Sequence, residues 1–273
     1  MPGSELSFER RRDRERLAAA VKDAGAVALN FFRGPLKSWT KGEGDSPVTE
    51  ADIAANDLLH QRLVSAGDGW LSEESENDPG RLEARRVWVV DPIDGTRAFI
   101  AGREDWSVSA ALVVAGRPVV AAVYAPATDE MFVATTGEGA LRNELPIRAS
   151  TGDRLDGARI AGPKRMLERI AQRGAGIVAM PRVHSLALRL VRVAHSELDA
   201  ALAGGNGHDW DLAAADLLVH EAGGLMTTLD GQALIYNRPE PVHGALIAAG
   251  RERHAALVDL ARAQASVPNP KFA

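Results

Sequence analysis

Two aspartates stand three positions apart at the end of an apolar run, in VWVVDPIDGTRAF, residues 87–99. Like charges at the end of a buried strand repel each other, and burial raises the cost of ionising them. An ordinary Asp-x-x-Asp faces water or pairs with arginine. Here Pro92 stiffens the turn between Asp91 and Asp94, and Gly95 permits an unusual backbone angle or the close approach of a ligand. If TRAFIAG opens a helix, its free N–H groups make an anion site beside the two acids. Acids beside an anion site are compatible when divalent cations lie between them. Other acids fit that arrangement: Glu73 and Glu74 in LSEES precede the strand, and Asp211 in HDWDLAAAD opens a helix much later in the chain. A carboxylate in that last position is equally a good helix cap. The chain has no cysteine, which excludes disulfides, thiolate metal sites and cysteine nucleophiles. Hard oxygen donors alone select Mg²⁺ over softer metals. Mg²⁺ ions held in this way clamp a phosphate and lower the pKa of an attacking water.

These residues need a scaffold. The chain has 273 residues, 45% of them hydrophobic, enough to bury a core in one large domain or two lobes. A formal charge of -5 argues against a nucleic-acid polymer as partner. The first twenty residues are highly charged and lack the apolar core of a secretory signal, and no uncharged apolar stretch is long enough to span a bilayer. The expectation is a cytoplasmic protein with no membrane association. Helical spacing predicts a helix over residues 7–33, ended by Arg33-Gly34-Pro35. KGEGDSP reads as a loop, and Thr49 or Ser46 caps a second helix beginning EADIAAN. RRVWVV reads as a buried strand. WSVSAALVVAG, RPVVAAVYAP and EMFVATTG read as an antiparallel meander with turns at Gly116-Arg117 and Ala127-Thr128. Composition shifts over residues 142–157, placing an α+β lobe with most of the acids at 1–147 and an α/β lobe that completes the site at 148–273. The second lobe reads as alternating elements: strand ARIAG, helix MLERIAQRG, strand AGIVAM, helix SLALRLVRVAHSE, strand LDAALAG, helix DLAAADLLVHEAGG, strand GALIAAG and a last helix.

Several motifs are absent. There is no G-x-x-x-x-G-K-[ST], and GEGALR lacks the third glycine of a dinucleotide loop. The D-x-D-G-T of haloacid-dehalogenase phosphatases fails on spacing, because Pro92 stands two residues before Asp94.

Four motifs in order, SPVTEAD (46–52), SEES (72–75), DPIDGT (91–96) and WDLAAAD (210–216), resemble the inositol monophosphatase superfamily of Mg²⁺-dependent, lithium-sensitive phosphatases. The resemblance spans residues 10–260 or so and implies a layered αβαβα sandwich, overall an α/β fold. It implies two to three Mg²⁺ ions held by Glu73, Asp91, the Ile93 carbonyl, Asp94 and Asp211. It implies that Thr96 orients a nucleophilic water and that Asp52 accepts the Thr96 hydroxyl proton, with Glu73 also aligning water. Gly95 and Thr96 N–H groups would hold the phosphate, and Lys41 matches a loop lysine near the metals. The implied chemistry is in-line attack of water on phosphorus without a phosphoenzyme, on a small phosphorylated metabolite, by a monomer or homodimer.

The leaving group is less marked. SPVTEADIAAN and AAVYAP resemble the bacterial 3'(2'),5'-bisphosphate nucleotidases acting on 3'-phosphoadenosine 5'-phosphate, and Arg189 falls where those enzymes tend to place a lysine that can meet a second phosphate. That substrate is the first expectation. Inositol 1-phosphate and, from RAFIAGREDWSVSAAL, histidinol phosphate are the alternatives. A metal-binding regulatory protein without catalysis is a remote one. The family's Gly-Ser before the fifth helix reads His184-Ser185 here. Asp209, beside Trp210, is a further candidate substrate contact. Trp39, Trp70, Trp88 and Trp106 read as packing residues.

Overall fold

A computed structural model describes residues 2–41 and 46–265. The expected loop KGEGDSP falls largely on residues 42–45, outside the described residues. A short hairpin of β1 (Ser38–Lys41) and β2 (Ser46–Thr49) comes first. A seven-stranded sheet follows in chain order: β3 (Asp68–Ser72), β4 (Arg86–Asp94), β5 (Ser107–Val114), β6 (Arg117–Ala125), β7 (Glu130–Thr135), β8 (Gly139–Arg142) and β9 (Leu145–Pro146). Only β3 and β4 are parallel. A five-stranded sheet is built from β10 (Arg159–Ala161), β11 (Val178–Ala179), β12 (Ala200–Ala203), β14 (Gly224–Thr228) and β16 (Leu246–Gly250), in the order β11-β10-β12-β16-β14. Between them in the chain, β13 (Gly207–His208) pairs with β15 (Val242–His243).

Alternation along the strands explains the layering. In β4, Trp88 and Val90 enter one core while Val87 and Val89 enter another, and all four are buried. Both faces of the large sheet must therefore be covered. α1 (Pro2–Leu29) and α2 (Glu50–Leu63) cover the Trp88 face. Leu17, Ala20, Val21, Ala24 and Ala28 recur at helical spacing on the buried side of α1. Gly25 lets that helix lie against Tyr124: a Cβ there would come within 2.6 Å of the ring. α5 (Leu186–Ala194) and α6 (Asp209–Glu221) fill the space between the two sheets. α4 (Lys164–Ala171) and α7 (Arg251–Ala265) cover the outer face of the small sheet. α3 (Thr96–Ile100) is one short turn after β4. The result is the αβαβα sandwich that the resemblance implies.

The meander is present, with its first turn one residue earlier than expected. Ala115 (φ 50°) and Gly116 (φ 74°) form the tight turn, because a two-residue hairpin needs positive φ at both centres. The first helix reaches back to Pro2. β3, β8, β9 and β14 were not anticipated; each is short, and pairing across a sheet, rather than its own pattern, makes it a strand. The expected lobe boundary at 147/148 lies in the segment between β9 and β10. No helix among the described residues is long and apolar enough to cross a membrane.

Candidate metal centre

The Asp91–Asp94 spacing makes sense once β4 is paired. Asp91 lies opposite Ser109 and Asp94 opposite Ser107, so three steps on β4 match two on β5. A regular strand sends residues three apart to opposite faces. The extra residue of this bulge returns both carboxylates to one side. Ile93 anchors the bulge by burying its side chain with Ala28, Ala51, Phe99 and Trp106. Its backbone N–H donates to Asp91 Oδ1 at 3.1 Å. Gly95 follows at φ 94°, and a Cβ there would come within 3.2 Å of the Asp105 carbonyl and the Ser185 nitrogen. Only glycine fits on both counts.

Asp211 reaches the same place from α6. Its Oδ2 accepts the His208 backbone N–H at 2.7 Å, so the helix-cap role and the site role coexist. One carboxylate oxygen each of Asp91, Asp94 and Asp211 lies within 4.8 Å of the others. No lysine or arginine forms an ion pair with any of the three among the described residues. Burial first, then the charges of Glu73 and Asp94, push the Asp91 carboxyl well above its usual value. Burial and Asp94 do the same to Asp211. Three carboxyls this close, Asp91 and Asp94 buried and Asp211 partly so, need protons or a cation between them. Hard oxygen donors with no sulfur and no arginine clamp fit Mg²⁺. Glu73 stands outside the 4.8 Å cluster but close to it. Burial, followed by Glu74, raises its carboxyl to about 7.

Asp94 is gripped from across the sandwich. Its Oδ2 accepts from the Ser185 hydroxyl and the Ala187 N–H, both at 2.6 Å, and its Oδ1 accepts from the Leu186 N–H at 3.1 Å. These are the free N–H groups at the start of α5. Ser185 caps that helix, its Oγ accepting the Leu188 N–H at 2.9 Å and meeting Ser107 Oγ at 2.9 Å. Ser185→Ala should cost about 1–3 kcal/mol, measured as a loss in denaturant midpoint. An unchanged midpoint would show that the backbone donors hold Asp94 unaided. The preceding His184 is fixed by Asp105, whose Oδ2 meets His184 Nδ1 at 2.6 Å and accepts its N–H at 2.8 Å.

Asp52 and Thr96 also meet. Thr96 Oγ1 lies 3.3 Å from Asp52 Oδ1 and 3.0 Å from the Ile93 carbonyl. Asp52 is the third residue of α2 in a capping box: its Oδ2 accepts the Thr49 N–H at 2.8 Å, while Thr49 Oγ1 accepts from Ala51 N and Asp52 N. Thr49, not Ser46, is the cap. Burial pushes the Asp52 carboxyl up to about 6.

The remaining expected contacts have these partners. Lys41 Nζ donates to the Glu73 carbonyl at 2.5 Å and is ion-paired with Glu74, so its charge serves the acidic loop. Asp209 is fully buried. Its oxygens accept the Asn237 N–H at 2.6 Å and meet His243 Nε2 at 2.6 Å, which leaves no face for substrate. Arg81, also buried, extends the chain: its Nη1 donates to Asn237 Oδ1 at 2.5 Å and its Nη2 to the Arg238 carbonyl at 2.9 Å. This network ties the segment after Glu73 and Glu74 to the start of α6 and positions Asp211. Trp88 and Trp106 are core residues as expected, but Trp39 is 47% exposed on β1. Trp210 stacks on His208, ring centroids 4.5 Å apart. Arg189 Nε is buried without a hydrogen-bond partner.

Comparison with known proteins agrees with this arrangement. The Nus factor SuhB of Haemophilus influenzae is 34% identical over 225 residues, covering 78% of this chain and 84% of that protein. An inositol-1-monophosphatase of Rhizobium meliloti is 33% identical over 225 residues with the same coverage. The crystal structure of the extragenic suppressor protein suhB from Bartonella henselae superposes with a TM-score of 0.79 at 29% identity, covering 91% of this chain and 97% of that one. With the inositol monophosphatase family profile matching residues 11–266 as well, the chain belongs to the inositol monophosphatase family.

Proposed function

We propose that the protein is a Mg²⁺-dependent phosphomonoesterase of small phosphorylated metabolites, with inositol phosphates as its first substrate class. The observation that carries this reading is the largely buried Asp91–Asp94–Asp211 cluster, which forms no ion pair with a lysine or arginine among the described residues. The relative named inositol-1-monophosphatase favours the inositol class over the nucleotide expected from sequence. Asp91, Asp94, Asp211, Glu73 and the Ile93 carbonyl would hold two to three Mg²⁺ ions, which supply a more acidic water and neutralise phosphate charge. The chain's own residues do the rest. Thr96 orients the attacking water through its hydroxyl, and Asp52, raised to about 6, stands ready to take the hydroxyl proton near neutral pH. Gly95 and Thr96 offer N–H groups to the phosphate. Asp94 keeps its direction because α5 holds both of its oxygens. The protein thus positions groups and pre-arranges charge, which is most of what phosphoryl transfer requires.

A bisphosphate nucleotidase is the second reading, favoured by Arg189 in the cavity beside the centre. Phosphate release from inositol 1-phosphate, 3'-phosphoadenosine 5'-phosphate and histidinol phosphate, measured side by side with Mg²⁺ and with added lithium, tests both. Fastest release from the inositol ester, suppressed by lithium, is the expected result. Preference for the nucleotide selects the second reading. No Mg²⁺-dependent release from any ester would sink both.

A further inference from the structure

The family's Gly-Ser reads His184-Ser185 here, so the His184 imidazole is an addition that the general pattern lacks. It is held at two points. Its Nδ1 lies 2.6 Å from Asp105 Oδ2, and the same oxygen accepts the His184 backbone N–H at 2.8 Å. Arg103 Nε donates to the other oxygen of Asp105 at 3.1 Å, and the Asp105 carbonyl accepts the Ser185 N–H at 3.1 Å. A carboxylate only accepts, so Nδ1 carries the proton of the pair and Nε2 is the working nitrogen. Nε2 has no hydrogen bond among the described residues. The side chain is 26% exposed and lines a cavity of about 760 Å³ between α4, the 177–184 segment and α5.

The end of β4 is approached from both of its faces. From the α1–α2 layer, Asp52 reaches Thr96, the pair that handles the attacking water under the proposed function. From the α5–α6 layer, Ser185 packs so closely on Gly95 that a Cβ there would come within 3.2 Å of its nitrogen. In-line displacement puts the leaving group opposite the incoming water. With the phosphate on the Gly95 and Thr96 N–H groups, the leaving oxygen faces the α5 side, where His184 adjoins Ser185. We propose that His184 is the general acid that protonates the leaving alcohol, with Asp105 and Arg103 as its positioning residues. This rests on the phosphomonoesterase reading and deepens it. The oxygen of water bonds to phosphorus, and one of its protons passes by way of Thr96 to Asp52. The bond from phosphorus to the leaving oxygen breaks, with its electron pair staying on that oxygen. That oxygen takes the proton from Nε2 of the imidazolium. The neutral ring keeps its Nδ1 proton on Asp105 and regains the other from solvent, to which Asp52 releases its own. The charged groups facing the ring are Asp105 and Arg103 from the segment after α3, Arg182 from its own loop, Arg189 from α5, and Lys164 and Glu168 from α4.

Two leaving groups test the idea. The alcohol of inositol 1-phosphate needs a proton to depart, whereas the phenolate of p-nitrophenyl phosphate leaves without one. His184→Gln should lower kcat on the inositol ester by about 100-fold, and the loss on the nitrophenyl ester should be at least about tenfold smaller. Asp105→Asn should give a loss with the same dependence on leaving group, whereas a merely structural role would slow both esters alike. Equal losses on the two esters, or a loss confined to KM, overturn the general acid while leaving the phosphatase reading intact. No Mg²⁺-dependent release from either ester by the wild type overturns both. Should His184→Gln fail to fold, Asp105→Asn carries the comparison. A further measurement does not depend on turnover. In nitrogen-15 NMR of the metal-free protein, neutral His184 should carry its proton on Nδ1 in the wild type and on Nε2 in Asp105→Asn. A wild-type proton on Nε2 overturns the assignment, because the ring would then have no lone pair there to take up the proton it delivers.

Discussion

Asp91→Asn will cut Mg²⁺-dependent turnover by at least about 1000-fold, the several kcal/mol that a metal contributes to such a reaction. The same change will raise the Tm of the metal-free protein. Asp91 is 1% exposed and feels the charges of Glu73, Asp94 and Asp211. Asparagine keeps the shape and can still accept the Ile93 N–H, but it removes one negative charge from the cluster. The loss and the gain therefore come from one cause: the carboxylate is unfavourable for the empty fold and required for the cation. Steady-state kinetics with a metal-free melting curve on the same preparation check both halves. Turnover like that of the wild type would remove Asp91 from the metal ligands, and a lower Tm would give it a structural role instead.

The second large effect is a dependence of stability on pH that Mg²⁺ reverses. Asp52 is raised to about 6 and Glu73 to about 7 in the folded protein, while both titrate near 4 when unfolded. Between those values the folded state binds more protons than the unfolded state, so stability falls as pH rises. The contribution is fully present below about pH 4 and lost above about pH 7. A carboxyl moved from 3.8 to about 6 is worth on the order of 3 kcal/mol, and coupling between neighbours makes the sum less than additive. Saturating Mg²⁺ stabilises the ionised carboxylates, so the Tm of the metal-bound protein should hold or rise over the same interval. Asp216 adds a slope of its own. Burial raises it to about 7, and it accepts a hydrogen bond from Tyr236 at 2.9 Å away from the cluster. Melting curves across this interval, with and without Mg²⁺, and repeated on Asp216→Asn, separate the two sources. A metal-free Tm that rises with pH in both proteins would overturn the assignment.

Much of this site is legible in the chain because it is written locally. An apolar run ending on Asp91 and Asp94, a glycine after them and an acid at the third position of a helix are short-range patterns with physical meanings. Thr49 and Asp52 form a capping box within four residues. What the chain does not display is pairing at long range. Ser185 caps α5 in the structure, and nothing near it in sequence says that the helix aims at Asp94, 91 positions away. Asp209 beside Trp210 reads as a substrate contact, yet it is fully buried. Its burial depends on His243, Asn237 and Arg81, which lie in three other segments. The short strands β3 and β14 carry too few residues to show a period. Their identity comes from the strands beside them.

The bulge in β4 has a further meaning for how this site can change. A strand has a parity: each added or removed residue exchanges its two faces. Asp91 and Asp94 share a face only because the Pro92-Ile93 segment carries one residue more than its partner strand matches. The centre is thus encoded in a residue count as well as in residue types. Side chains along Pro92-Ile93 can be exchanged with the acids still aligned, whereas pairing the same residues without the bulge would turn Asp94 toward the α1–α2 side with every carboxylate still in the chain.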